Sequence, residues 1–293
     1  MKAEKDRLIL NTVGYIFLSI LSILCLLPFL LVIVGSITPE KEIQLNGFSL
    51  IPKHITLDAY KYLFNKTDAL LRSYLVTILL TSIGVICSLF LSSLASYVLS
   101  CKSYKYRNKI SFFIFFTTLF SGGLVPYYIL MVNVYNMKDN FLSMLIPSLF
   151  SVWNIIIMKS YMASIPTEIF ESAKIDGAFH LRMFISIALP LSVPILATIG
   201  LFIGLNYWNE WYNAMLFIDN RNLYPLQYFL YRMLNSGSFA EAVSKGARLS
   251  IQELPRESMK MAVIILSTMP IFIIYPFVQK YFIRGLTIGS VKG

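Results

Sequence analysis

Three carboxylates, at Glu168, Glu171 and Asp176, lie in a short polar stretch between two long apolar segments. Pro166, just before them, suits the first turn of a helix, and carboxylates near a helix start are stabilised by its positive end. Gly177 follows directly and can adopt the left-handed conformation that ends a helix. The pattern therefore predicts a helix, a sharp turn and a second helix, which together form an L-shaped pair.

An apolar ridge is predicted beside these acids. Ile169, Phe170 and Ala173 are spaced at i, i+1 and i+4, so they fall on one face of the helix. Ser172 is small and lets a partner approach closely. The alternative is a cytoplasmic surface loop whose carboxylates are merely solvated, and acidic residues alone would favour that alternative.

The elements that must hold this loop are membrane helices. Hydrophobic residues make up 57% of the chain and charged residues 14%, whereas a soluble domain carries about 25% charged residues. A helix needs ~20 mainly apolar residues to cross the hydrocarbon core. We therefore predict an all-α integral membrane protein, a single domain over residues 1–293 with six transmembrane helices. The predicted spans are about 13–35, 73–99, 110–133, 141–159, 188–218 and 261–280, and the acidic loop occupies 164–187.

Lysine and arginine in short loops indicate which side of the membrane each loop occupies. The tail 1–12 contains three basic residues and the loop 102–109 contains four, whereas the loop between the third and fourth spans contains only Lys138. Both termini and the acidic loop are therefore predicted to be cytoplasmic. The long external loop 219–260 has two open interpretations: it contacts a soluble partner, or it caps the helix bundle.

The acidic loop resembles the EAA loop of permease subunits in bacterial ABC importers, whose pattern is Glu-Ala-Ala, then Gly, then Ile-x-Leu-Pro. The only departure is a serine where the family usually has its first alanine. The segments 119–137 and 281–293 are similar to carbohydrate permeases akin to the smaller membrane subunit of the maltose transporter, and Asp176-Gly177-Ala178 and Phe184 indicate the same branch. The matching residues of the loop are Glu171, Ser172, Ala173, Gly177, Ile187, Leu189 and Pro190.

The resemblance implies that this loop is a coupling helix. In the family it docks in a cleft of a separate ATPase, and ATP-driven closure of the ATPase pair moves the permease helices between two states as rigid bodies. The implied contact residues are Glu168, Ile169, Phe170, Glu171, Ser172, Ala173, Asp176, Gly177 and Ala178.

The resemblance also implies partners in a bacterial cytoplasmic membrane: a second homologous permease, an ATPase dimer, an extracellular solute-binding (lipo)protein and a sugar or oligosaccharide. The chain has no Gly-x-x-x-x-Gly-Lys phosphate loop, so ATP and Mg are expected on the ATPase, with no cofactor or metal in this non-catalytic subunit. The net charge of +10 is dispersed over loops on both sides, which is explained by contact with lipids rather than with nucleic acid.

Glu210 is an acidic residue inside the fifth predicted span, where a charge costs at least ~2.5–3.5 kcal/mol unless it faces a cavity or a partner. Assuming a continuous helix, four polar residues share one stripe and two tryptophans lie on its flank. Two interpretations are open: the segment lines the sugar path, or it belongs to an aromatic belt or a helix contact. The candidate path residues are Asn206, Trp208, Asn209, Glu210, Trp211 and Asn213.

Two other classes of function compete with the transport subunit. An independent secondary transporter or channel for a small polar solute would need intramembrane charge pairs or inverted repeats, and this chain offers one intramembrane acid. A membrane enzyme would need a catalytic motif, but there is no His-Glu-x-x-His and no nucleophile elbow. The two histidines, His54 and His180, lie in loops predicted to be on opposite sides of the membrane.

Overall fold

The computed structural model describes residues 2–66, 68–235 and 256–287, and the regular secondary structure within these ranges is helical. The predicted all-α class is therefore confirmed for the described part of the chain. In chain order the helices are α1 (Lys2–Ser36), α2 (Glu40–Asn46), α3 (Asp58–Lys66), α4 (Asp68–Ser100), α5 (Arg107–Thr117), α6 (Leu124–Ile129), α7 (Leu142–Leu145), α8 (Val152–Met162), α9 (Thr167–Ile175), α10 (His180–Met183), α11 (Leu189–Leu191), α12 (Val193–Trp208), α13 (Tyr212–Phe217), α14 (Leu226–Asn235) and α15 (Arg256–Thr287).

Three segments in these helices are long and apolar enough to cross a membrane by length and composition, at Leu10–Ser36, Asp68–Ser100 and Glu257–Phe277. Two bent helix pairs pass the same test, at Leu142–Ser148 with Val152–Met162 and at His180–Leu191 with Val193–Phe217. The described ranges thus contain up to five segments that meet this criterion.

The predicted span 110–133 is interrupted in the structure. α5 ends at Thr117, and α6 begins at Leu124 after Gly123, whose φ is +84°. A residue with positive φ cannot continue a right-handed helix, and a glycine pair lowers helix propensity. The π-helical turn Leu130–Val134 follows α6 directly. Together they form the apolar segment Leu124–Val134, which is shorter than the 18 residues required of a single spanning helix.

Prolines lie at both bent pairs. Pro147 lies in the 3-10 turn Ile146–Ser148 that ends α7, and Ser151 caps α8 by accepting a hydrogen bond from the Asn154 backbone N–H at 3.4 Å; the two helices meet at 42°. Pro190 and Pro194 flank the sharper bend of 82° between α11 and α12. Because proline lacks the N–H that the helix ladder needs, the ladder is interrupted at these points.

The described residues divide into two compact units. The first lies within 1–68 and 230–269, and the second within 69–229 and 270–293. In the first unit the Glu40 carboxylate accepts hydrogen bonds from the backbone N–H of Glu257 at 3.0 Å and of Ser258 at 3.1 Å. A carboxylate at the positive start of α15 is a favourable cap, so this contact fixes where the helix begins.

The core of the second unit includes a seam between α4 and α12, in which glycines face large side chains. The fully buried ring of Tyr207 lies against Gly84, where a Cβ atom would overlap it. In the opposite sense, Leu89 of α4 faces Gly200 of α12, and a Cβ there would lie 3.1 Å from the leucine Cδ1. The Tyr207 hydroxyl donates to the Leu145 carbonyl at 2.8 Å, which joins α7 to the seam. Small residues thus allow close helix approach, as is common in membrane bundles.

Parts of the sequence-based predictions concern residues outside the described ranges. These are positions 236–255 of the long loop 219–260, and 288–293 of the carboxyl-terminal segment that resembles carbohydrate permeases.

Candidate functional site

The acidic helix predicted within 164–187 is α9. Pro166 is its N-cap residue rather than a member of the first turn. At the other end Gly177 has φ +79°, the Ala178 N–H donates to the Ala173 carbonyl at 2.9 Å, and the Gly177 N–H donates to the Lys174 carbonyl at 3.0 Å. Two such bonds around a left-handed glycine form a Schellman motif. The predicted helix end at Gly177 is confirmed.

The predicted apolar ridge is wrong as a single outward surface. Phe170 and Ala173 pack against the core of the second unit, and the Phe170 ring centroid lies 6.2 Å from that of Tyr97 on α4. These two side chains are therefore turned inward toward α4, and only Ile169 of the predicted ridge is exposed. The sequence analysis missed two apolar residues that do point outward: Ile175 is 87% exposed and Phe179 is 65% exposed.

The three carboxylates of this region are exposed, as the sequence predicts. Glu168 lies in the first turn of α9, Glu171 near its middle and Asp176 at its C-cap. Within the described ranges none of the three makes an ion pair or a hydrogen bond through its side chain, so the acids are available to an incoming cationic partner. Together with Ile175 and Phe179 they give α9 and its turn an outer surface of mixed acidic and apolar character.

A cavity of 480 Å³ lies behind α9, between that helix and the ends of α4 and α8. Burial raises the pKa of the Cys101 thiol, which lines this cavity just after α4. The inner side of α9 thus faces this cavity. Phe170 provides its aromatic contact to Tyr97. The lining residues are Tyr97, Ser100, Cys101, Lys102, Ser103, Met162, Ala163, Ile165, Thr167, Phe170, Glu171, Lys174, His180 and Met183.

The chain returns from the acidic loop to the membrane segments through a widened helix. α10 continues into the π-helical turn Phe184–Ala188, which runs directly into Leu189 and Pro190. π-helical turns accommodate interruptions of the α-helical ladder. Ile187 and Leu189 pack against the core of the second unit, and Phe184 is buried in it with its ring 5.4 Å from Tyr97. Tyr97 thus contacts both arms of the acidic loop.

The predicted polar stripe in the fifth span is wrong, because the helix on which it was built is broken. α12 ends at Trp208 and α13 begins at Tyr212. Glu210 lies in the break with 7% exposure, and its carboxylate accepts hydrogen bonds from the Asn213 backbone N–H at 2.7 Å and from Asn213 Nδ2 at 2.9 Å. The carboxylate thus takes the place of a helix carbonyl as the partner of a freed N–H.

The six candidate path residues differ in burial and in hydrogen-bond partners. Asn213 is joined to Glu210 and also accepts a hydrogen bond from the Tyr127 hydroxyl at 2.8 Å. Asn209 donates to the Leu205 carbonyl at 2.8 Å. Trp208 is buried, Trp211 is exposed, and Asn206 lies on α12 before the break. Contact between these residues and a substrate stays a prediction.

Asn206 instead borders a second cavity, of 300 Å³, between α12 and the bend that joins α7 to α8. The sequence analysis missed Asn154, a buried amide on the opposite wall, although an asparagine within the predicted span 141–159 was a usable signal. The lining residues are Pro147, Ser148, Phe150, Ser151, Asn154, Phe202, Ile203 and Asn206.

Comparison with models of protein families finds no match. Comparison with individual proteins finds relatives that match over the whole chain. The chain is 39% identical over 295 residues to the polygalacturonan/rhamnogalacturonan transport system permease protein YtcP of Bacillus subtilis, covering 99% of this chain and 100% of that protein. It is 28% identical over 302 residues to the trehalose/maltose transport system permease protein MalG of Thermococcus litoralis, covering 100% of both.

A solved structure also matches, that of a bacterial ABC transporter involved in the import of the acidic polysaccharide alginate. The TM-score is 0.83 at 30% sequence identity, and the match covers 94% of this chain and 96% of that chain. Likeness in sequence and in fold therefore extends over almost the whole length. This chain belongs to the family of permease subunits of carbohydrate ABC importers.

Proposed function

We propose that this chain forms half of the transmembrane pathway of an importer for a sugar or oligosaccharide, with a distinct homologous permease as the other half. As a member of its family it is a transport component and a multi-pass protein of a bacterial membrane. The observation that carries the proposal is α9, an exposed acidic helix that ends in a Schellman motif at Gly177. An ATPase dimer would supply the energy, and an extracellular binding protein would deliver the sugar.

In this proposal α9 and its turn dock on the ATPase. Glu168, Glu171 and Asp176 would meet basic groups of the ATPase, and the exposed Ile169 would contribute apolar contact. The further docking surface includes Ser172, Ile175, Gly177 and Phe179, and Phe170, Ala173 and Ala178 would support it from within. Contact between Phe170 and Tyr97 would pass a movement of α9 to α4.

The proposed topology has six spans with both termini in the cytoplasm. In this topology α1, α4 and α15 would supply three spans, and the two bent pairs would supply two more, because these segments are long and apolar enough to cross a membrane. α5 and α6, with the break between them, would supply the third span in chain order. This orientation puts α9 on the same side of the membrane as an ATPase, which supports the docking proposal. ATP and Mg would bind the ATPase, and this subunit would carry out no chemistry.

The substrate we propose is an acidic oligosaccharide. The relative that is 39% identical is named for polygalacturonan and rhamnogalacturonan, and the solved structure is named for alginate. Galacturonate polymers and alginate both carry a carboxylate on their sugar rings. A neutral maltodextrin-type substrate is the alternative within the same family.

The test is reconstitution of the complete transporter, with its second permease, ATPase and binding protein, in proteoliposomes. Trigalacturonate should stimulate ATP hydrolysis and accumulate inside, while maltotriose should do so less. Glu171→Arg should reduce copurification of the ATPase, because it reverses one docking charge. Asp58→Arg, on the exposed start of α3, is the matched control and should have no effect. Uptake of either sugar without the ATPase would instead support a secondary transporter or channel.

A further inference from the structure

The cavity between α12 and the bend from α7 to α8 combines two amides, two hydroxyls and two aromatic rings. Asn154 and Ser151 come from the start of α8, and Asn206 with Phe202 comes from α12. Ser148 and Phe150 come from the bend itself. No charged residue is among the residues that line this cavity.

The two amides are the main observation. Asn154 is 8% exposed, and its backbone N–H is satisfied by Ser151. Its side-chain amide makes no hydrogen bond within the described ranges, and neither does that of Asn206, which is exposed and lines the same cavity. An amide that finds no hydrogen-bond partner away from water costs free energy. Both helices belong to candidate membrane spans, where lipid cannot supply hydrogen bonds.

The bend explains why a cavity is present at this place. Pro147 and the cap at Ser151 interrupt the helix, so the chain leaves α7 and re-enters α8 at 42°. Irregular backbone within a membrane bundle is tolerated where it is buried in protein or lines a water-filled cavity. The interruption therefore agrees with a polar site between the two spans.

We propose that this cavity binds one sugar ring of the transported oligosaccharide, an inference that rests on the proposed function. The Asn154 and Asn206 amides each offer donors and an acceptor, which matches hydroxyls that both donate and accept. Phe150 and Phe202 offer apolar surface to the C–H face of the ring. Ligand pockets have volumes of about 300–1,000 Å³, so a cavity of 300 Å³ suits a single ring rather than a chain.

The absence of carboxylates from the cavity lining is consistent with a uronate ring. Glu210, which lies nearby in sequence, directs its carboxylate to Asn213. A sugar carboxylate in the cavity would meet the amide donors of Asn154 and Asn206 instead. The two amides can therefore form hydrogen bonds with either a neutral or an acidic ring. Comparing trigalacturonate with maltotriose shows which ring the site prefers.

The experiment measures the concentration dependence of uptake by the reconstituted complete transporter, with trigalacturonate and maltotriose as probes. Asn206→Ala and Asn154→Ala should each raise the KM for the preferred probe roughly 2–10-fold, as expected for loss of one neutral hydrogen bond. Asn133→Ala is the control, because it removes an exposed amide from the π-helical turn after α6, outside the cavity lining. It should leave the KM unchanged.

A second measurement covers the case in which the buried Asn154 variant fails to fold. Asn206→Cys, in a background without Cys25, Cys87 and Cys101, should react with a small thiol reagent, and the transported probe should slow that reaction during turnover. Unchanged KM for Asn206→Ala together with no protection of Asn206→Cys would overturn the inference, while wild-type uptake would leave the proposed function intact. Reduced copurification of the second permease with Asn206→Ala, while the KM of the complexes that remain intact is unchanged, would assign the cavity to the subunit interface and also overturn it.

Discussion

Tyr97 contacts Phe170 with 6.2 Å between the ring centroids, and this is an aromatic contact between α4 and the helix proposed to dock on the ATPase. Tyr97 is also 5.4 Å from Phe184 on the return arm of the same loop. One side chain of a long membrane helix thus touches both arms of the acidic loop. We therefore expect a displacement of α9 to be transmitted to α4 through Tyr97.

Phe170→Ala should weaken coupling more than it weakens assembly. A fully buried Phe→Ala change costs about 3–5 kcal/mol, and the half-buried Phe170 should cost less, about 1–2 kcal/mol. We expect sugar uptake per ATP hydrolysed to fall while the ATPase still copurifies. Phe112→Ala, at an exposed position of α5, should change neither quantity. An unchanged ratio of uptake to hydrolysis in Phe170→Ala would show that the aromatic contact carries no force.

Gly177→Val should abolish coupling through the backbone alone. A Cβ at Gly177 meets nothing within 4 Å, so the substitution causes no clash with neighbouring side chains. A non-glycine residue at φ +79° costs roughly 1–2 kcal/mol, and more if it is β-branched. Gly177→Asn is the control, since asparagine tolerates this conformation, and it should retain most sugar-stimulated ATP hydrolysis. Equal activity of the two variants would show that the turn is not needed for docking.

Glu210→Gln should destabilise the protein. Glutamine can accept one of the two hydrogen bonds from Asn213 but places its own N–H₂ near the other donor. The expected loss is about 1–3 kcal/mol, as for a buried group left unpaired. Tyr127→Phe removes one neutral hydrogen bond to Asn213 and should cost about 0.5–1.5 kcal/mol. Thermal unfolding of the solubilised complex measures both. A Glu210→Gln complex with wild-type stability and altered sugar preference would favour a place in the substrate path instead.

Cysteine labelling tests the proposed topology. In a background without the three native cysteines, Asn46→Cys at the end of α2 and Asn235→Cys at the end of α14 should react with an impermeant thiol reagent added to intact cells. Ser103→Cys, between α4 and α5, should react only after the cells are opened. Labelling of Ser103→Cys in intact cells would reverse the orientation.

The ion pair between Lys138 and Asp219, with 2.9 Å from Nζ to Oδ2, should contribute nothing to the pH dependence of stability near neutrality. Its hydrogen bond to Asp219 raises the pKa of Lys138. Because the Lys138 pKa is higher in the folded protein than in the unfolded chain, the ion pair stabilises the folded state. This stabilisation is fully present below the pKa of the unfolded chain, about 10.4, and is lost as pH rises through the pKa of the folded protein. The difference in Tm between wild type and Lys138→Met should therefore be equal at about pH 7 and about pH 9. A difference that changes between these two pH values would contradict this assignment.

The sequence predicts features that depend on neighbouring residues better than those that depend on distant ones. The helix end at Gly177 is local: the N–H groups of Gly177 and Ala178 and the two carbonyls that accept their hydrogen bonds lie within the six residues 173–178. The inward turn of Phe170 is not local, because it depends on Tyr97 of α4. The break after Trp208 was missed because a glutamate side chain replaces the helix carbonyl there, and no helical spacing reveals such a replacement.

Two further features of the site could not be predicted, because they also depend on residues that are distant in the sequence. The 300 Å³ cavity joins Asn154 to Asn206 only after both bent pairs have folded. The proline positions indicate interruptions, but they give neither the angle of 42° nor that of 82°. The membrane class, by contrast, follows from composition, since apolar segments of this length have few other uses.

The seam between α4 and α12 has a mechanical consequence. Tyr207 of α12 packs into the space left by Gly84, and Leu89 of α4 packs into the space left by Gly200. Each helix therefore contributes one large side chain and one glycine to the contact. Because the two helices interlock in both directions, neither can slide along the other without first separating from it. We therefore expect α4 and α12 to move together as one rigid unit.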